Sequence, residues 1–452
     1  MKRFSALFTT ILLSMIWMQG LYAATVQTPS QLMITDLKVV EDPVRTNPRQ
    51  GKRATWSFKY LMEQMAGSRD PADFTLQWLK QWENDQFING HLVTARPNIR
   101  NLVINPWLAA SGGKKLDLNK APFKLLAIVN RMDMREHDAQ GIVTTAGEGR
   151  FVFGVLGSDG KPLPPAAGPS PGGFTMILEY ELPATTMREL GTWAKQWKDL
   201  DKHPLGSVKY NAALENLTRQ FTDRGRAPNK PNQNAINQIR TNEISLHPTW
   251  ELREFVIDAG NGLLQQKTVT ATPDSIQFNG TEGLTQMIND NEASILNNTF
   301  SMDGSNEAAS SISGPFQAVN FVDFGLRTFK TNLLFEPFYD IPWSAAGIRN
   351  NTARHQLALN TCNGCHRDET ATGFLHIGFP QAHSLPASLG KPAALSAFLT
   401  GGQATDPVDA TTLRQFAELT RRQADFAELL DNFGTNGTGR GPRKIHRPRF
   451  AH

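Results

Sequence analysis

Two cysteines occur in the 452 residues, Cys362 and Cys365, and His366 follows them directly. Thiols three residues apart sit on one helical turn, where each can add to a vinyl group of a porphyrin. The next side chain then brings an imidazole to the iron. This C-x-x-C-H pattern is the attachment signature of c-type haem, with Cys362 and Cys365 as the covalent anchors of one haem and His366 as its proximal ligand. The spacing has other uses. A redox-active thiol pair would follow an apolar strand in a βαβ unit, whereas the upstream stretch from Arg354 to Thr361 reads as helical or irregular. A structural zinc centre takes four ligands, and there is no second cysteine pair. A local Cys362–Cys365 disulfide remains the plain alternative, and the chain would then be a haem-free secreted binding or hydrolytic protein.

The sixth iron position is less constrained. Small cytochromes of this kind often use a downstream methionine, but the last one here is Met302. That leaves a second histidine, an upstream methionine, or an open site able to act on peroxide or another small molecule. His376, in Gly373-Phe-Leu-His-Ile-Gly378, lies ten residues beyond His366 and is the possible distal ligand. A half-buried histidine with ordinary partners is the blander reading. His355 and His383 are weaker candidates. Asp133, Glu136, His137 and Asp138 follow an apolar run and read as a solvated turn. Glu243, His247, Glu251, Arg253 and Glu254 read as cross-strand ion pairs. Gly147-Glu-Gly-Arg lacks the Lys-Ser/Thr of a phosphate loop.

These residues need a scaffold, and the rest of the chain predicts one of α+β class. Residues 1–23 read as a signal peptide: Lys2 and Arg3, an apolar stretch from Ala6 to Met18, and Leu21-Tyr22-Ala23 before the cleavage point. Residues 24–340 read as a large mixed body with antiparallel strands and inserted helices. Apolar spacings predict helices around Trp56–Met65 and Pro71–Trp82, then over about Thr186–Leu200, Val208–Thr222 and Glu282–Asn297. Strand patterns cover Phe123–Asn130, Phe151–Leu156 and Phe174–Leu182, and a hairpin is predicted where Trp250–Asp258 and Leu263–Thr272 flank Ala-Gly-Asn-Gly. Residues 345–433 read as a small, mainly helical haem-binding segment with a helix over Ala410–Leu430, and residues 434–452 as a flexible basic tail.

The formal charge of +4 is concentrated at the two ends, in Lys2 and Arg3 and in Arg440, Arg443, Lys444, Arg447 and Arg449. The body is slightly acidic, which argues against a nucleic-acid partner. No stretch after the leader is long and apolar enough to span a membrane.

Residues 358–379 (ALNTCNGCHRDETATGFLHIGF) resemble the haem-binding segment of cytochrome-c-like exported proteins. With Arg240-Thr-Asn-Glu-Ile and Trp250-Glu-Leu-Arg-Glu-Phe, the chain resembles a group of exported proteobacterial proteins that carry such a segment near the C-terminus. The resemblance implies one covalent haem c on Cys362 and Cys365 with His366 on the iron. It also implies periplasmic maturation in a periplasmic or secreted protein, and nothing about the body; electron transfer with a redox partner protein is the first functional expectation for such a haem. The chain departs from the small-cytochrome pattern in lacking a downstream methionine and in having Arg367 directly after the histidine.

Overall fold

The computed structural model describes residues 30–434 other than 139, 167–172, 271, 301–307, 309–310, 314–320, 324–327, 331–341, 368 and 381–388. The expected leader, the basic tail beyond Gly434, and His383 lie outside the described residues. The class is α+β. Its centre is a seven-stranded antiparallel sheet whose strands lie side by side in chain order: β1 (Met33–Ile34), β2 (Phe123–Arg131), β3 (Glu148–Val155), β4 (Phe174–Glu181), β5 (Ile236–Glu243), β6 (Glu254–Ile257) and β7 (Leu264–Lys267). Among the described residues, no helix is long and apolar enough to cross a membrane.

Side chains alternate across a strand, so the register sorts these residues onto two faces. Phe151 pairs with Leu178, and Phe255 with Ile239. They belong to one apolar face with Phe153 and Met176. Four helices cover it: α1 (Phe58–Ala66), α2 (Pro71–Leu79), α3 (Met187–Asp199) and α4 (Val208–Thr222). Their starts are written locally. The Ser57 and Ser207 side chains accept from Tyr60 N and Tyr210 N, and Asp70 accepts from Ala72 N ahead of Pro71 at the first position. Thr186 and Glu189 form a capping box, each side chain accepting from the other's backbone N–H. The packing is aromatic. Trp82 lies 4.8 Å from Phe255 and 5.4 Å from Trp78, ring centre to ring centre, and Phe58 stacks on Phe123 at 3.9 Å.

The second face packs against Leu359, Cys365 and Leu419 of the C-terminal residues, from α5 (Asn351–Leu359), α6 (Cys362–Cys365) and the start of α7 (Glu418–Gly434), whose Phe426 and Leu429 instead join the core of the first face. Phe379 lies so close to Gly154 of β3 that a Cβ there would come within 2.3 Å of its ring. Arg135 Nη2 donates to Asp425 of α7 at 2.9 Å, with both side chains buried.

Three local readings are corrected. The expected helix over Ala410–Leu430 begins only at Glu418, because Gly402–Thr405 and Leu413–Phe416 form a hairpin first. Ala410 has φ of +55°, and Asp409 accepts from Thr411 N and Thr412 N, so the chain turns there and cannot wind. The strand expected from Trp250 divides at Arg253: Trp250–Leu252 pairs with Ser311–Ser313, while β6 joins the main sheet. The helix over Glu282–Asn297 is broken at Asn291 into Glu282–Asp290 and Glu292–Leu296.

Candidate functional site

The cysteine turn is built from its own sequence. Thr361 caps it, accepting from Gly364 N at 3.2 Å while donating to Ala358 O at 2.7 Å. Gly364 is required by close approach, since a Cβ there would stand 2.3 Å from Ala358 O. Trp343 Nε1 donates to Thr361 Oγ1 at 2.9 Å, and Cys362 N donates to Thr272 Oγ1 at 3.1 Å. The turn is therefore pinned from two elements distant in sequence.

Both cysteines are buried and free of a disulfide. They face different apolar clusters: Cys365 packs with Leu126, Val152, Ile177 and Ile377, and Cys362 with Ile244, Trp250, Leu252 and Phe374. Burial raises both thiols above their usual range, Cys365 strongly and with a further push from Cys362. A nucleophilic cysteine needs a lowered value and exposure, and these have neither.

His366 and His376 are also buried, 1% exposed each. His366 Nδ1 lies 2.7 Å from Phe374 O. A carbonyl only accepts, so Nδ1 carries the proton and Nε2 presents the lone pair. Burial lowers His366 to about 4, which keeps the ring neutral. Trp250 stacks on it at 5.3 Å and on Phe374 at 5.5 Å. His376 Nδ1 meets Ser396 Oγ at 2.8 Å, and its Nε2 lies 3.4 Å from Cys365 Sγ. Burial first, then His366 and Arg422, holds His376 well below the ordinary imidazole range.

A charged layer lies beside the site on the second sheet face. Arg240 of β5 reaches Glu254 at 2.9 Å and Glu179 at 3.4 Å, and Arg150 reaches Glu148 at 2.6 Å. Burial alone would lower Arg240, but Glu179 and Glu254 outweigh it and raise it. Arg253 pairs with Glu251 at 2.8 Å and with Glu243 at 3.5 Å, and Arg96 pairs with Glu251 at 2.7 Å. The ion-pair reading of that stretch thus holds. His247 instead accepts from Thr249 N.

The solvated-turn reading fails for Asp133, which is buried and bonds Arg131 at 2.9 Å and Arg421 at 2.8 Å. Burial would raise this carboxyl, yet Arg131, Arg422 and Arg421 hold it well below the carboxylate range. Glu136 and Asp138 are exposed as expected. His355 bonds Glu369, which also pairs with Arg354. Arg354 and Arg414 in turn hold Asp406 at 3.0 and 2.7 Å.

The residues fit a haem in part. Two reduced thiols on one turn, a neutral imidazole with Nε2 presented, and apolar clusters on either side match what covalent attachment needs. The two imidazoles stand 4.6 Å apart between centres. An iron held between them by bonds of about 2 Å would set them roughly 6 Å apart. In this packing, His376 lies beside His366 and not across an iron from it.

Phe374, Ser396, Thr272 and Trp250 complete the site, and the sequence reading named none of them as site residues. Phe374 lies inside the 358–379 segment and Trp250 opens a stretch that shares in the resemblance, while Thr272 and Ser396 carry no local signal for the site. Compared with known proteins, the chain matches no family model, no curated protein and no solved structure.

Proposed function

We propose that the chain is an exported monohaem c-type cytochrome-like protein that transfers electrons through one haem c held by Cys362, Cys365 and His366. The observation that carries this reading is the bond from His366 Nδ1 to Phe374 O at 2.7 Å, which fixes the tautomer and leaves Nε2 as the ligating nitrogen. When bound, haem supplies one-electron cycling between ferric and ferrous iron. The chain's own residues do the rest. Cys362 and Cys365 tether, Trp250 and Phe374 hold the His366 ring and exclude water, and Thr361 and Thr272 fix the turn. His376 would serve as a second iron ligand only if the two rings parted by about 2 Å; otherwise an upstream methionine or an open position would remain. The reading implies a periplasmic or secreted location and a redox partner protein, with no role for nucleic acid.

The test is a visible spectrum of the full chain produced in a host with c-type maturation, before and after reduction. A sharp reduced band that survives denaturation is expected, and Cys362→Ala with Cys365→Ala should abolish it. A colourless protein lighter by two protons would mean a disulfide and would overturn the proposal. With haem in place, a low-spin spectrum that persists in His376→Ala removes His376 as distal ligand.

A further inference from the structure

An open cleft of 360 Å3 lies beside the cysteine segment, lined by His355 and Leu359 of α5, by Phe398 and Phe416, and by Glu418 and Arg421 of α7. Its apolar walls are shared with the site. Leu359 and Phe398 belong to the apolar cluster that holds Cys365, and Phe416 packs against that cluster. The Phe398 ring stands 5.0 Å from that of His376 and 5.4 Å from that of Phe416.

Two polar groups meet this apolar lining. His355 bonds Glu369 through Nδ1, and Glu369 is itself buried and held by Arg354. A carboxylate accepts, so Nδ1 donates and Nε2 is the nitrogen left for a ligand. Nε2 has no partner among the described residues. Arg421 is the second group. Its Nε bonds Glu418 at 2.8 Å and its Nη2 bonds Asp133 at 2.8 Å, while Nη1 has no hydrogen-bond partner. Burial would lower Arg421, but Glu418 and Asp133 outweigh it and raise it, so the guanidinium stays charged.

These parts define an occupant. Aromatic walls favour a flat ring. Nε2 asks for an O–H donor, and a guanidinium asks for an oxygen acceptor. A phenolic hydroxyl supplies both from one atom on a ring. We propose that this cleft binds a small phenol, whose hydroxyl donates to His355 Nε2 and whose ring lies against Phe398 and Phe416. The inference goes beyond the haem reading and needs no haem, because every group it uses is on the chain.

A metal ion is the poorer occupant. His355, Glu369 and Asp406 bring donor atoms within 4.8 Å of one another, but Arg354 and Arg414 already pair with both carboxylates.

The test titrates the full chain into para-fluorophenol and, separately, into para-fluoroanisole, with binding followed by fluorine NMR. The two probes share a ring, and the second has a methyl group in place of the hydroxyl proton. One para-fluorophenol should bind per chain. The anisole should bind about tenfold more weakly, because it leaves Nε2 without its hydrogen bond. His355→Leu should abolish this preference by weakening the phenol alone. Arg188→Ala, in a separate cleft formed by α3 and α4, should change neither affinity.

Comparing the two probes on the unaltered chain needs no variant. No binding of the phenol, equal affinity for the two probes, or a preference that survives His355→Leu would overturn the proposal. The two readings fail separately: a chain without haem should still bind the phenol, and a chain that ignores the phenol would keep any c-type spectrum it has.

Discussion

The two faces of the central sheet differ: one is apolar throughout, and the other joins an apolar cluster to a buried charged layer. One face buries Phe151, Phe153, Met176, Leu178 and Phe255 under four amphipathic helices. The other buries Arg150, Glu179, Arg240 and Glu254 next to the segment that carries Cys362, Cys365, His366 and His376. Apolar contact is non-directional and tolerates sliding at small cost. A buried ion pair is tolerant of nothing: each charge costs several kcal/mol to desolvate and recovers that only from a partner at the right place. The charged face therefore suits placing a chemical segment in one position, while the helix-covered face supplies the bulk of the burial.

That contrast can be broken most severely at Arg240. Replacing it with leucine leaves Glu179 and Glu254 buried without their central counter-charge. The expected loss is about 3–5 kcal/mol, read from urea unfolding. Adding Glu254→Leu to that variant should restore part of the loss, and a further loss would show that the layer is not acting through charge.

A cavity on the other face costs somewhat less. Leu178→Ala should lower stability by about 3 kcal/mol, while Leu178→Met should cost less than about 1.5 kcal/mol in the same measurement. Equal costs for the two would mean that side-chain volume does not control this face. The smallest effect lies at a helix end. Thr186→Ala removes half of the capping box and should cost about 1 kcal/mol, whereas Thr186→Ser should keep most of that stability.

Much of the scaffold was legible because its signals are local. Apolar spacing marked the helices that Ser57, Asp70, Thr186 and Ser207 cap; the run at Phe123 lies within an observed strand, and those at Phe151 and Phe174 overrun theirs by one residue. The charged face was not legible. Arg150 and Glu179 lie 29 residues apart in sequence, and only the register of β3 on β4 makes them opposite. The early turn at Asp409–Ala410 was hidden because Ala410 gives no sign of its positive φ.

The same division runs through the site. By itself, the sequence determined that Cys362, Cys365 and His366 share one turn, because three residues of helix bring them there. Only the tertiary structure decided what surrounds them. It set Phe374 O against His366 Nδ1, Ser396 against His376, and His376 against Cys365, the last two beside the pairing of Ile377–Gly378 with Ala394–Leu395. The physical reason is range. A turn is closed by bonds between near neighbours, whereas the state of a buried thiol or imidazole is set by every group packed around it, wherever in the chain that group arises.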